Sequence, residues 1–287
     1  MGCRDIPATA RLFPDERPLA GLAALLPALR EPLTGMLTRR QRLVREREFH
    51  RLTRRLTDAM LPRAVTIPVY VHVISSDGTR DTGAVTDAMV AAQIRVLNKA
   101  YSGAAGGAPT PFRFRLRGVN RVVKPEWALI THGSPAEREM KLALHRGDRR
   151  TLNLYVGRLG SRVAGWSTYP KRRIDRTDGV VLLSETLPGG QARRFNDGDT
   201  AVHEVGHWLN LYHTFEGGCG DDGDHVADTP AEAEATSGCP ADRDSCAALP
   251  GVDSVHNYLN YGDDGCMREF TPGQVRRMRK AWRAYRA

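Results

Sequence analysis

From Val65 onward apolar and polar positions alternate: Val65, Ile67, Val69, Val71 and Val73 are separated by Thr66, Pro68, Tyr70 and His72. A period of two puts the apolar side chains on one face of a strand. Pro68 cannot donate to a ladder, so it predicts a place at the sheet margin. The spacing then changes. Val90, Ile94, Leu97 and Tyr101 step by four, three and four, which is one face of a helix, with Thr86 as its predicted cap. Phe112, Phe114 and Leu116 alternate with arginines as another strand, and Leu152 to Val156 reads as a third. Asp178-Gly179 opens a fourth, Val180 to Leu183, which runs out at Pro188-Gly189-Gly190. Asp199 or Thr200 is expected to cap the next helix. Strands mixed with helices give an α/β or α+β domain, and no internal repeat is visible.

Residues 1–64 follow another pattern. They are rich in Arg, Leu and Pro, contain no Lys and lack strand alternation. Leu33 to Met60 is expected to be helical. The segment reads either as a helical N-terminal arm or as a removable prosegment, and it divides the chain into 1–64 and a catalytic-sized domain, 65–287.

Composition narrows the class. The chain has 287 residues, 41% hydrophobic and 26% charged, enough to build a packed core. The net charge of +9 raises nucleic acid as a partner. Its distribution argues against that, because Asp221, Asp222, Asp224 and Asp228 form an acidic loop and no basic run is interleaved with aromatics. The apolar run Leu19 to Leu29 is too short to span a bilayer and contains Pro27. Ile6 breaks the myristoylation pattern after Gly2, and no secretory signal follows Met1. On that ground the chain is either cytosolic or begins inside a longer precursor. Cys219, Cys239, Cys246 and Cys266 cluster in Gly-, Asp- and Pro-rich sequence, which reads as two disulfides and hence export to an oxidising compartment. A structural zinc site is the other reading, though no C-x-x-C pair occurs.

The chemistry concentrates in His203-Glu204-Val205-Gly206-His207-Trp208-Leu209-Asn210-Leu211-Tyr212-His213. His203 and His207, four apart on a helix, share a face and can bind one Zn²⁺. Glu204 lies at the rim of the same site and can take a proton from water and return it to a leaving amine. His213 is the third expected ligand. A straight helix would carry it past the metal, so the chain must turn, and Asn210 is a residue that tolerates the left-handed conformation this requires. An isolated H-E-x-x-H can arise by chance; a third histidine at this spacing, after a turn residue, makes zinc the expected cofactor.

With these residues in place the chain resembles the metzincins, whose motif is H-E-x-x-H-x-x-G-x-x-H followed by a Met-turn. Within them it looks like the pappalysin family, most like its small ulilysin-like microbial members. The resemblance runs from Val65 to the C-terminus. It includes Ala91-Ala92-Gln93-Ile94, Leu187-Pro188-Gly189-Gly190, Tyr212-His213-Thr214-Phe215, Asp228-Thr229-Pro230, His256-Asn257-Tyr258, Cys266-Met267 and Phe270-Thr271-Pro272-Gly273-Gln274. It implies an α+β metzincin fold: a twisted, mostly parallel sheet with two long helices above a cleft, and an irregular disulfide-bonded part below. It also implies a secreted endopeptidase, expected to be a monomer, that takes an extended peptide or protein along a rim strand near Val180 to Leu183. By the family's cysteine order the pairs would be Cys219–Cys246 and Cys239–Cys266. Tyr261 would donate its hydroxyl to a developing oxyanion, the core tyrosine being its alternative role. Asp221, Asp222, Asp224, Asp228 and Thr229 would offer oxygen ligands for Ca²⁺, against the reading of a solvated polar loop. His225, in the same loop, is not expected to be a ligand. Cys3 could block the open zinc position in a zymogen, released by a cut between Arg54 and Ala64.

Two positions depart from the family pattern. Asn210 stands where the turn glycine is expected, and Leu259 where the Met-turn methionine is expected. Leu is close to Met in volume, so packing should be kept; Met267 and Met278 are expected in the core. These two departures are the support for an alternative, a catalytically silent relative that binds peptides, and Glu204 argues against it. Asp264 is near the place where a carboxylate would favour Arg or Lys after the cut, but Gly265 precedes Cys266, which leaves the preference open.

Overall fold

The computed structural model describes residues 10–12, 37–160, 162–173, 175–220 and 222–287. In chain order the strands are β1 (Ala10–Leu12), β2 (Val65–Ser75), β3 (Phe112–Val123), β4 (Leu129–Ile130), β5 (Leu152–Leu159), β6 (Val163–Ser167) and β7 (Val180–Leu183). The helices are α1 (Arg39–Thr53), α2 (Asp87–Tyr101), α3 (Pro135–Leu144), α4 (Asp199–Trp208) and α5 (Pro272–Ala281). The sheet order is β1-β6-β7-β5-β2-β3, with β4 beside β5. Strands β2, β3, β5 and β7 pair in parallel, while β6 runs antiparallel to β7.

The alternation in β2 has the expected cause. Ile67, Val69, Val71 and Val73 turn towards α2 and α4 and join one large core. The opposite face is covered as well: Ile74, Tyr155 and Val181 pack with Met140 and Leu144 of α3. A sheet covered on both sides explains why β5 and β7 read as nearly unbroken apolar runs. Thr86 caps α2 by accepting from the Met89 amide at 3.2 Å. Pro68 is not at the edge of the sheet, since β2 lies between β3 and β5. It falls where the β5 ladder has not begun, because that ladder starts at Val69 opposite Leu152.

Two expectations are corrected here. Val180 to Leu183 is not the rim: β7 is internal, flanked by β5 and β6, and within residues 65–287 the edge on that side is β6. The outer side of β6 pairs antiparallel with residues 10–12, with Arg11 opposite Gly165. The N-terminal helix covers Arg39–Thr53 and opens on a capping box between Thr38 and Gln41, so it is shorter than the 33–60 stretch. Between Leu211 and Thr271 the described residues form no strand or α-helix, only a short 3₁₀ turn at Gly218–Gly220. This stretch is held by Cys219–Cys246 and Cys239–Cys266, with Cα separations of 5.6 and 5.5 Å.

Candidate active site

Helix α4 carries His203, Glu204 and His207, all buried. The helix ends at Trp208 and the chain reverses at Asn210, whose φ is +75°. The Leu211 amide bonds back to the Gly206 carbonyl at 3.0 Å, closing the turn as a left-handed cap does. The reversal returns His213 to the face of α4. The Nε2 atom of His207 is then 3.0 Å from that of His203 and 3.2 Å from that of His213.

Each ring is aimed by its other nitrogen. His203 Nδ1 lies 2.7 Å from the Tyr258 carbonyl, His207 Nδ1 2.7 Å from the Leu211 carbonyl, and His213 Nδ1 3.4 Å from Glu216 Oε2. These acceptors fix a tautomer with the proton on Nδ1 and the lone pair of each Nε2 directed inward. Burial, reinforced by the adjacent His213, holds His207 well below the ordinary imidazole range, so it is neutral and able to ligate. Two nitrogens bound tetrahedrally at about 2.0–2.1 Å from one ion stand roughly 3.3 Å apart. The three converging nitrogens therefore fit a zinc ion, and this donor set matches its chemistry.

The surrounding residues shape the site. A Cβ at Gly165 would come 2.7 Å from the Val181 carbonyl and 3.3 Å from Glu204 Cγ, so the glycine in β6 leaves room for the Glu204 side chain beneath that strand. Tyr261 reaches in from the 257–261 turn, its hydroxyl 3.2 Å from His213 Nε2. Phe215 stacks on His213 at 4.8 Å, and Tyr169 meets His207 edge-on at 5.7 Å. Leu259 is fully buried against Gly206, beneath the metal-binding face of α4. The two departures from the family pattern are thus accommodated by the packing: Asn210 adopts the turn and Leu259 fills the floor.

Other expected residues are placed differently. Neither Asp199 nor Thr200 caps α4. The N-cap is Gly198, with φ +98° and no side chain, and the cap comes from Asp264 far along the chain. Asp264 Oδ2 accepts from the amides of Asp197, Gly198 and Asp199 at 2.9, 3.2 and 3.4 Å. That carboxylate is buried at the helix start. Asp228 holds the start of α5, accepting from Thr271 Oγ1 at 2.7 Å and the Gly273 amide at 2.8 Å. Asp224 is buried, and burial pushes its carboxyl up to about 7. It accepts from Thr229 Oγ1 and the Val226 amide, while its Oδ2 has no partner among the described residues. Among the described residues Asp222, Asp224 and Asp228 do not converge as a group of three, and His225 is not part of the histidine cluster. Cys3 and Asp221 lie outside the described residues. Glu216, Tyr169 and Gly165 were not legible as site residues. For Glu216 a signal existed: a carboxylate three positions after a ligand histidine can serve as its outer partner.

A family model described as "Pregnancy-associated plasma protein-A" matches residues 151–283. An extracellular metalloprotease of Pyricularia oryzae is 45% identical over 228 residues, covering 78% of this chain and 77% of that protein. One from Trichophyton verrucosum is 41% identical over 252 residues, covering 84% of this chain and 88% of the relative. Among solved structures, mature mirolysin of Tannerella forsythia in complex with a cleaved peptide has a TM-score of 0.61 and 29% identity, over 76% of this chain and 91% of that one. A promirolysin mutant from the same organism gives a TM-score of 0.67 and 27% identity, over 85% and 89% of the two chains. Sheet, helix-borne histidines and likeness together define a metzincin metalloprotease. Within that class the chain belongs to the pappalysin family.

Proposed function

We propose that this chain is a secreted zinc endopeptidase, made as a zymogen and active as a monomer on extended peptides or proteins. The observation that carries the proposal is the convergence of His203, His207 and His213 through Nε2, with Glu204 buried beside them under the rim strand. His203, His207 and His213 would hold the zinc, which when bound would supply Lewis acidity and make water a usable nucleophile near neutral pH. Glu204 accepts the proton of the attacking water and delivers it to the leaving amine nitrogen as the C–N bond breaks. The Tyr261 hydroxyl donates to the oxyanion that develops on the attacked carbonyl.

Substrate pairs as an added antiparallel strand on the outer side of β6, which brings the scissile bond past Glu204. Latency is supported by the pairing of residues 10–12 with that same edge. The proposed division is a helical prosegment at 1–64 and a catalytic domain at 65–287, with Cys3 as the blocking thiolate. Secretion is supported by two disulfides and by relatives named extracellular. Calcium in the 221–229 loop is supported by the buried Oδ2 of Asp224, which has no partner among the described residues.

The test is cleavage of a mixed peptide pool by the full chain loaded with zinc, before and after limited cutting within Arg54–Ala64, with products read by mass spectrometry. Cuts that appear after processing and vanish in Glu204→Ala are expected; Tyr261→Phe should retain zinc and lose about 10²–10³ in rate. A folded, processed, zinc-loaded wild type that cuts nothing would overturn the proposal.

A further inference from the structure

Helix α1 lies against the residues that hold the metal ligands. Arg42 Nη1 bonds Glu216 Oε1 at 2.9 Å, with the two side chains only 7% and 0% exposed. The other oxygen of the same carboxylate is the one that faces His213 Nδ1. One helical turn on, Arg45 Nη2 donates to Asn210 Oδ1 at 3.2 Å, and its guanidinium lies 4.4 Å over the Tyr169 ring, the ring that meets His207 edge-on. Glu46 pairs with Arg277, whose Nε donates to the Asn210 carbonyl at 2.8 Å. Arg42 and, one turn on, Arg45 and Glu46 thus connect α1 to the outer partner of His213, to the turn that returns His213 to the site, and to the ring beside His207.

We propose that α1 is a positioning element of the zinc site, with Arg42 acting through Glu216 on His213. A carboxylate as buried as Glu216 is costly without a cation beside it. Arg42 supplies that cation, and so Glu216 stays under His213 and keeps its Nε2 aimed at the ion. Without Arg42 the carboxylate would turn towards water and His213 would lose its orienting acceptor. Outer partners of this kind are worth about tenfold to a hundredfold in metal affinity.

The inference rests on the triad binding zinc, and the experiment separates the two. Zinc is competed from the full chain with a chromophoric chelator, and thermal unfolding of the same samples is followed in parallel. Arg42→Ala should weaken zinc binding tenfold or more, and in a Glu216→Gln background it should add little. Met140→Ala is the control. Met140 is buried in α3 on the opposite face of the sheet, so this variant should lower the melting point with zinc affinity within about twofold of wild type. Wild-type zinc affinity in Arg42→Ala, or an equal loss in Met140→Ala, overturns the positioning role. A wild type that takes up no zinc would instead sink the metal assignment. Should Arg42→Ala fail to fold, Arg42→Lys takes its place: it keeps the charge but not the length and planar geometry that let Nη1 donate to both Leu37 O and Glu216 Oε1, and an intermediate affinity is expected. Unchanged affinity there counts against the proposal.

Discussion

Asp264 and Asp199 are 65 residues apart, yet the carboxylate of the first receives the backbone N–H of the second at the start of α4. A helix whose own N-cap is glycine borrows its cap from the irregular half of the molecule. The anion also sits at the positive end of the helix macrodipole. The active-site helix and the disulfide-bonded loop are thereby tied together just ahead of His203.

Asp264→Ala should cost about 1–2 kcal/mol in denaturant unfolding, the scale of a lost N-cap. Because the carboxylate is occupied by the helix, the residues preferred on either side of the cut should not change. A profile that loses Arg or Lys after the cut would show that Asp264 reads substrate after all.

Leu259 and Gly206 make a tight pair. A Cβ at Gly206 would come 2.9 Å from Leu259 Cδ2. Gly206→Ala should therefore overpack the floor of the site and cost about 1–3 kcal/mol, while Leu259→Met should stay within about 1.5 kcal/mol of wild type. Adding Leu259→Ala to Gly206→Ala should recover part of the loss, which a thermal-melt cycle would resolve.

His72 is buried on β2, stacked on Tyr155 at 5.0 Å and bonded to Asn153 Oδ1 at 3.0 Å. Burial lowers it from 6.5 to about 4. A histidine kept neutral in the fold contributes stability above its unfolded pKa and loses it as pH falls through the folded value. From pH 6.5 down to 4 the loss is about 3 kcal/mol from this group. His72→Phe keeps the ring stack and should flatten that part of the acid limb; an unchanged limb would locate the acid sensitivity elsewhere.

Asp224 has the opposite sign. Its carboxyl is raised to about 7, so its contribution is present below about pH 4 and fades as pH rises through 7. In calcium-free buffer at pH 8, Asp224→Asn should melt higher than wild type. Calcium should raise the melting point of wild type and leave the variant unmoved. A variant that still responds would place any calcium ion away from Asp224.

The fold was legible where a local period met a two-sided core. β2, β3, β5, β7 and α2 follow from alternation or from steps of three and four, because burial is what those periods record. β6, β1 and α3 were not legible: a five-residue strand such as β6 carries too little pattern, and three residues at β1 none. The rim was consequently assigned one strand too far in. The three histidines, Glu204 and the turn residue were legible together, since a helical pair, a reversal and a third histidine are all set within eleven residues of local chain.

The sequence by itself therefore determined the histidine triad, Glu204, the turn at Asn210 and the cysteine cluster, each a matter of short-range geometry and residue chemistry. Tertiary structure alone decided which strand forms the rim, that Asp264 caps α4 and that Arg42 reaches Glu216 across 174 residues. Those choices depend on which surfaces meet when the core closes, and a buried carboxylate or an open amide takes its partner from whatever packing brings near. No local spacing encodes that choice.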